Sequence, residues 1–176
     1  MNTFRHAFRL IVAALAIACA ALVAPIATAA ALTDFGENKV IDALFRGQAL
    51  GAPASWHLAL YTTTCTDAGP GTEVSTSGTA YARQAVTASL ANFAGTQSAG
   101  STVASTGTGG TTSNNSVITW SESTGAWGNI QSVGFTDATT AGNRWVCINL
   151  SAPFNVSGAG ITVKFNAATL TFQIDN

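Results

Sequence analysis

Charge is what this chain has least of. Of its 176 residues 9% are charged, and the formal net charge is −1. Lysine occurs only at Lys39 and Lys164. A nucleic-acid surface needs a clustered positive stripe, and this inventory cannot supply one. Histidine is almost missing: beyond His6, near the N-terminus, His57 stands alone, with no sequence partner to make it a base. There is no Gly-rich phosphate loop, no Cys/His metal cluster and no Gly-x-Ser-x-Gly. Glu122 and Asp137 are the acids one would pair for glycoside hydrolysis, but their separation is not a property of the sequence. Asp67 and Glu73 offer oxygen to calcium without a complete ligand set, and read as solvated loop acids. The expectation is a protein that is not an enzyme, with no catalytic residue, no cofactor and no metal.

What is present begins with an export-like leader. Arg5 and Arg9 precede an uninterrupted apolar run over residues 10–24, which Pro25 breaks. Ala27-Thr28-Ala29 then has the small-residue spacing of a signal peptidase site, so cleavage is expected between Ala29 and Ala30, with the bond after Ala31 as the second choice. The run is short against the roughly twenty residues of a spanning helix. An uncleaved anchor, a lipoprotein site at Cys19 and a mis-called start are the alternatives. The division expected is a leader over 1–29 and one domain over 30–176, with membrane contact only through the leader.

The remainder reads as mainly β. Residues 127–150 form the organising stretch, two strands joined by a turn. Val133 and Phe135 share a face in the first; Val146, Ile148 and Leu150 share one in the second, with Trp145 and Cys147 opposite. A strand apolar on both faces belongs in the middle, covered on both sides. Further alternating runs lie at 56–63, 81–89, 116–120, 161–165 and 170–174. Seven to eight strands at this spacing predict an antiparallel, jelly-roll-like β-sandwich. One helix precedes it. Thr33 or Asp34 can cap it, Gly47 ends it, and Val40, Ile41, Leu44 and Phe45 form a stripe expected to pack on the sheet. Arg83, inside a strand, is expected to pair with a buried or loop carboxylate.

Two cysteines follow the leader, Cys65 and Cys147. They read equally as a disulfide in an oxidising compartment or as two small buried hydrophobes. Residues 95–115 are Gly/Ser/Thr-rich and read as a long exposed loop. Asn-x-Ser at Asn114, Asn149 and Asn155 is a weak glycan-acceptor pattern.

Several segments carry a resemblance in order: residues 32–47 (LTDFGENKVIDALFRG), 71–74 (GTEV), 81–86 (YARQAV), 112–115 (TSNN), Trp127-Gly128 and 134–138 (GFTDA). Their succession resembles a family of small phage virion proteins commonly labelled tail fibre proteins. The resemblance implies a structural component of a phage or prophage particle, acting by assembly and contact, with no catalytic residues. Its implied partners are further copies of the chain or other virion proteins, and a host surface glycan. The leader and the cysteines depart from the family pattern. They keep a second reading open: a secreted or cell-surface β-sandwich module that binds a glycan or a protein.

Overall fold

A computed structural model of the chain describes residues 31–69 and 71–174. The expected leader and its cleavage point lie outside these residues. Among the described residues nine strands and one helix appear in the order β1 (Ala31–Leu32), α1 (Asp34–Phe45), β2 (Ser55–Tyr61), β3 (Gln84–Thr87), β4 (Thr111–Ser113), β5 (Ile118–Thr119), β6 (Gly128–Thr136), β7 (Arg144–Val156), β8 (Lys164–Phe165) and β9 (Thr171–Gln173). Five make an antiparallel sheet in the order β1-β7-β6-β2-β3; β4 with β9 and β5 with β8 form two ribbons.

The β6–β7 hairpin occupies the middle of the sheet, as its two-sided apolar pattern requires. Register places Leu60, Val133 and Ile148 in one row across β2, β6 and β7, and Leu58, Phe135 and Val146 in the next. These six residues are buried in one cluster with Ile118, Trp120, Trp127, Val163, Phe165 and Leu170 from the ribbons and the segments that flank them. The result is an antiparallel β-sandwich. Trp120 meets Phe165 edge-on at 5.7 Å and Tyr81 meets Trp127 edge-on at 5.3 Å between centroids.

Strand β7 runs six residues past the expected Leu150, through Pro153. The ladder skips from Ser132↔Asn149 to Ile130↔Phe154, so Pro153 falls where no N–H is wanted. The ribbon strands are shorter than expected, because a side chain does the work of a ladder. Buried Asn114 donates to the carbonyls of Ser116 and Asn166, 2.8 Å each, and accepts from the Leu170 N–H at 2.9 Å. Within the stretch read as loop, Thr111–Ser113 is strand β4. The loop residues before it bond to one another: the Gly107 N–H donates to Thr96 Oγ1 and the Thr106 N–H to Gln97 Oε1.

Thr33 caps α1, its Oγ1 accepting from the Gly36 N–H. The helix packs on the sheet through this first turn. The Phe35 ring meets Trp145 edge-on at 5.2 Å, and the Thr33 N–H donates to the Trp145 carbonyl at 3.0 Å. A Cβ on Gly36 would come within 2.5 Å of that carbonyl oxygen, so only glycine permits the approach. The expected packing stripe is not the face used. Leu44 is 71% exposed, Phe45 81%, and Ile41 is exposed beside them. The helix is tied to the sheet at its start and turns the stripe to solvent. Periodicity states that a face wants apolar company, not which chain provides it.

Ile148 fills the centre of the core, whereas Ser105 lies in the exposed loop. Ile148→Ala is expected to cost about 2–5 kcal/mol. Ser105→Ala is expected to cost under about 0.5 kcal/mol. Denaturant unfolding of both variants checks the strand placement, and equal small losses would refute it.

Candidate functional site

The ribbons cover one face of the sheet. The other face carries Ala59, Tyr61, Ser132, Gly134, Thr136 and Cys147, all buried. Its cover is the segment after β2, residues 62–69 and 71–73, whose one bridge to the sheet among the described residues is the isolated pair Tyr61↔Glu73. The backbone of such a segment must find other partners. Ser132 Oγ donates to the Thr63 carbonyl at 2.8 Å; the Cys65 N–H donates to Asn149 Oδ1 at 2.8 Å, and Asn149 Nδ2 returns to the Cys65 carbonyl at 3.3 Å. Arg144 Nη2 donates to the carbonyls of Thr66 and Gly69. Cys65 and Cys147 stand as a disulfide between loop and strand, Cα–Cα 6.1 Å, 82 residues apart. The Arg144 guanidinium lies over the Tyr61 ring at 5.4 Å, and a Cβ on Gly134 beneath them would meet both at 2.8 Å.

This cover leaves a cleft of about 440 Å³ between the start of α1, the covering loop and the β6–β7 turn, with Arg83 on its wall. The Arg83 side chain is 8% exposed. Its Nε and Nη2 reach Glu73 at 2.9 and 2.7 Å, and Nη1 donates to Thr136 Oγ1 and to the carbonyls of Ala138 and Ala141. The loop carboxylate expected for Arg83 is thus Glu73. Tyr81 Oη donates to Glu73 Oε1 at 3.0 Å and accepts from the Leu60 N–H at 2.8 Å. One guanidinium therefore joins the covering loop, the sheet and the turn.

The ionisation states follow. Hydrogen bonding to Glu73 raises Arg83 further, against a smaller opposing cost of burial. Burial pushes the Tyr81 phenol well above its ordinary range and raises that of Tyr61, with the Glu73 charge adding to both. Burial favours the neutral form of Asp137, but bonds from the Asn143 N–H and side chain and from Trp145 Nε1 outweigh it and hold the acid low.

Of the residues singled out from the sequence, this arrangement brings Asp67, Glu73 and Arg83 to the cleft and leaves Glu122, Asp137 and His57 off its lining. Glu73 is occupied by Arg83 and Tyr81, and its calcium partner Asp67 is an exposed loop acid. Asp137 holds the β6–β7 turn closed; neither it nor Glu122 lines the cleft. His57 lies in β2, half-buried. Of the three Asn-x-Ser sites, Asn114 is buried and Asn149 is engaged with Cys65, while Asn155 is exposed. Sequence reasoning missed Arg144 and Asn149 as fasteners of the loop. Their only signal was a polar residue at each end of an apolar strand.

A family model described as podophage GP4 fiber I protein gp80 matches residues 31–173. The chain belongs to that family. The resemblance read from ordered motifs is therefore borne out, and a structural role in a phage particle follows from membership of the fiber I family. The match spans every strand, the Cys65–Cys147 pair and the Arg83 hub. No curated protein matches the chain.

Two outcomes test the hub of this fiber I fold. Arg83→Met strands a part-buried Glu73 and three acceptors, and is expected to cost about 2–4 kcal/mol, less than a fully buried pair because Glu73 keeps some solvent. Calorimetry measures it, and a loss under 1 kcal/mol would reduce the pair to an ordinary surface bridge. Tyr81 gives a pH dependence. Its folded-state value is raised, so its contribution is complete below the unfolded value of about 10 and is lost as pH rises beyond it. Melting points between pH 8 and pH 11 should fall, and more shallowly in Tyr81→Phe, although that variant starts lower for want of two hydrogen bonds. Parallel curves for the two proteins would exclude the phenol as the source.

Proposed function

We propose that the protein is a non-enzymatic fibre component that acts by assembling with further copies of itself and with neighbouring virion proteins. The observation that carries this reading is the bare apolar stripe of α1. Ile41, Leu44 and Phe45 sit on a capped helix anchored at its first turn, in a chain whose core is otherwise closed. A contiguous apolar patch on a folded domain marks a contact surface. The charge inventory supports the same conclusion. Arg83 and Glu73 neutralise each other, Asp137 serves a turn, and no nucleophile–base pair lines the main cleft. Contact with a host surface glycan belongs to this reading as a role of the exposed loops.

The leader and the Cys65–Cys147 pair favour the second reading, an exported module that binds a glycan or a protein. In an oxidising compartment the bridge would add about 2–4 kcal/mol by closing a long loop. In that setting cleavage falls between Ala29 and Ala30 and leaves β1 intact at Ala31.

Mass spectrometry of induced particles and of the culture supernatant separates the readings and shows the N-terminus in each fraction. The chain is expected in the particles. Phe45→Asp, which charges the stripe without entering the core, should lower its incorporation at least tenfold while leaving the melting point within a few degrees. Absence from particles, with a processed monomer in the supernatant, would sink the assembly reading.

A further inference from the structure

A second unpartnered feature lies at the far edge of the sheet. Among the described residues strand β3 pairs with β2 alone. The Ala88 N–H donates to the Ala54 carbonyl, so the inward bonds of this ladder belong to Gln84, Val86 and Ala88. The backbone of Ala85 and Thr87 points away. Their outward carbonyls are met by side-chain amides, Gln84 Nε2 on Ala85 at 3.4 Å and Asn92 Nδ2 on Thr87 at 2.9 Å. Their N–H groups have no protein acceptor among the described residues. Strand β5 is in the same position. The Trp120 N–H donates to the Val163 carbonyl, so Ile118 and Trp120 face β8 while Val117 and Thr119 face away. Between the two free edges runs a groove of about 400 Å³, lined by residues 84–87 and 116–119 with Asn92. The Asn115 N–H closes one end on the Asn92 carbonyl at 2.8 Å. No charged side chain lines it. Such a groove suits an extended, uncharged strand, bonded on both sides.

The chain carries a segment of that chemistry. Residues 47–54 link α1 to β2, carry no charge, and are exposed almost throughout. No hydrogen bond among the described residues uses the backbone of Ala49, Leu50, Gly51, Ala52 or Pro53. Gly51, at φ +68°, is the residue that must straighten, and glycine does so without a Cβ penalty. The end of this linker, Ala54, touches the end of the groove wall at Ala88, so two copies related by a two-fold axis near that point could exchange linkers reciprocally. The apolar stripe of α1 immediately precedes the linker.

We propose that the groove between β3 and β5 receives the 47–54 linker of a second copy, and that this strand addition carries the α1 stripe onto that copy. The contact gives the assembly reading a specific surface, and rests on it. It joins the five-stranded sheet and the β5–β8 ribbon into one sheet across the inserted strand, and it covers both bare features at once.

The test uses the purified chain in a dilution series, followed by sedimentation and by amide hydrogen exchange. Self-association is expected, with the amides of Ala85, Thr87, Val117 and Thr119 gaining at least tenfold protection in the associated form. Thr87→Pro removes an outward N–H and leaves the β2–β3 bonds alone. It should weaken association at least tenfold while the core amides of β6 and β7 stay protected. Val117→Pro makes the same test from the opposite wall if Thr87→Pro fails to fold. Association that leaves the four groove amides unprotected, or that survives both prolines, overturns this contact and leaves assembly through another face standing. A monomer at every concentration also overturns it, and particle incorporation then decides the assembly reading separately.

Discussion

The stretch of β7 from Trp145 to Ile148 is buried on both faces, and only one of them has a regular layer to cover it. That constraint shapes the molecule. The second cover is a segment without a ladder, so many of the bonds that fix it come from side chains: Ser132, Asn149 and Arg144 from the sheet, Arg83 from the chain leading into β3. Each satisfies groups that would otherwise be buried without partners, at roughly 1–3 kcal/mol apiece. The Cys65–Cys147 link falls in the same seam. The cleft beneath the cover is a by-product of this solution. Its polar wall is already engaged in holding the loop down.

The parts of the fold that were legible in the sequence are those set by side-chain periodicity. Alternation in residues 56–61 and 130–136, and the two-sided apolar run after Arg144, placed β2, β6 and β7 and the burial of Ile148. Less legible were segments where one buried side chain replaces a ladder. Asn114 organises three turns of backbone from within a Gly/Ser/Thr stretch, and nothing in its neighbours distinguishes it from a loop asparagine. The family was legible through the order of weak motifs, several of which prove to be fold devices. Gly36 admits the Trp145 carbonyl, Glu73 and Arg83 form the hub, and Asp137 closes the hairpin turn.

The α1 stripe shows where a pattern misleads and why. An amphipathic helix in a single chain is ordinarily read as packing on its own sheet. Here the first turn, with Phe35 and Gly36, satisfies the sheet, and the rest of the helix carries its apolar residues outward. The same sequence signal is covered by its own sheet in one case and left bare in the other. Only the anchoring geometry distinguishes them.

Scarcity of charge has a consequence for how such a protein can meet others. Arg83 and Arg144, the two arginines of the sandwich, are both spent on the covering loop and the adjoining turn. What reaches the surface is mostly small and uncharged, together with a bare apolar stripe and the outer edges of β3 and β5. Long-range steering by charge contributes little to association for such a surface. Specificity must come from contacts that act at close range, apolar shape and backbone hydrogen bonds laid edge to edge. Those contacts suit neighbours held near one another at high local concentration, which is the condition inside a fibre.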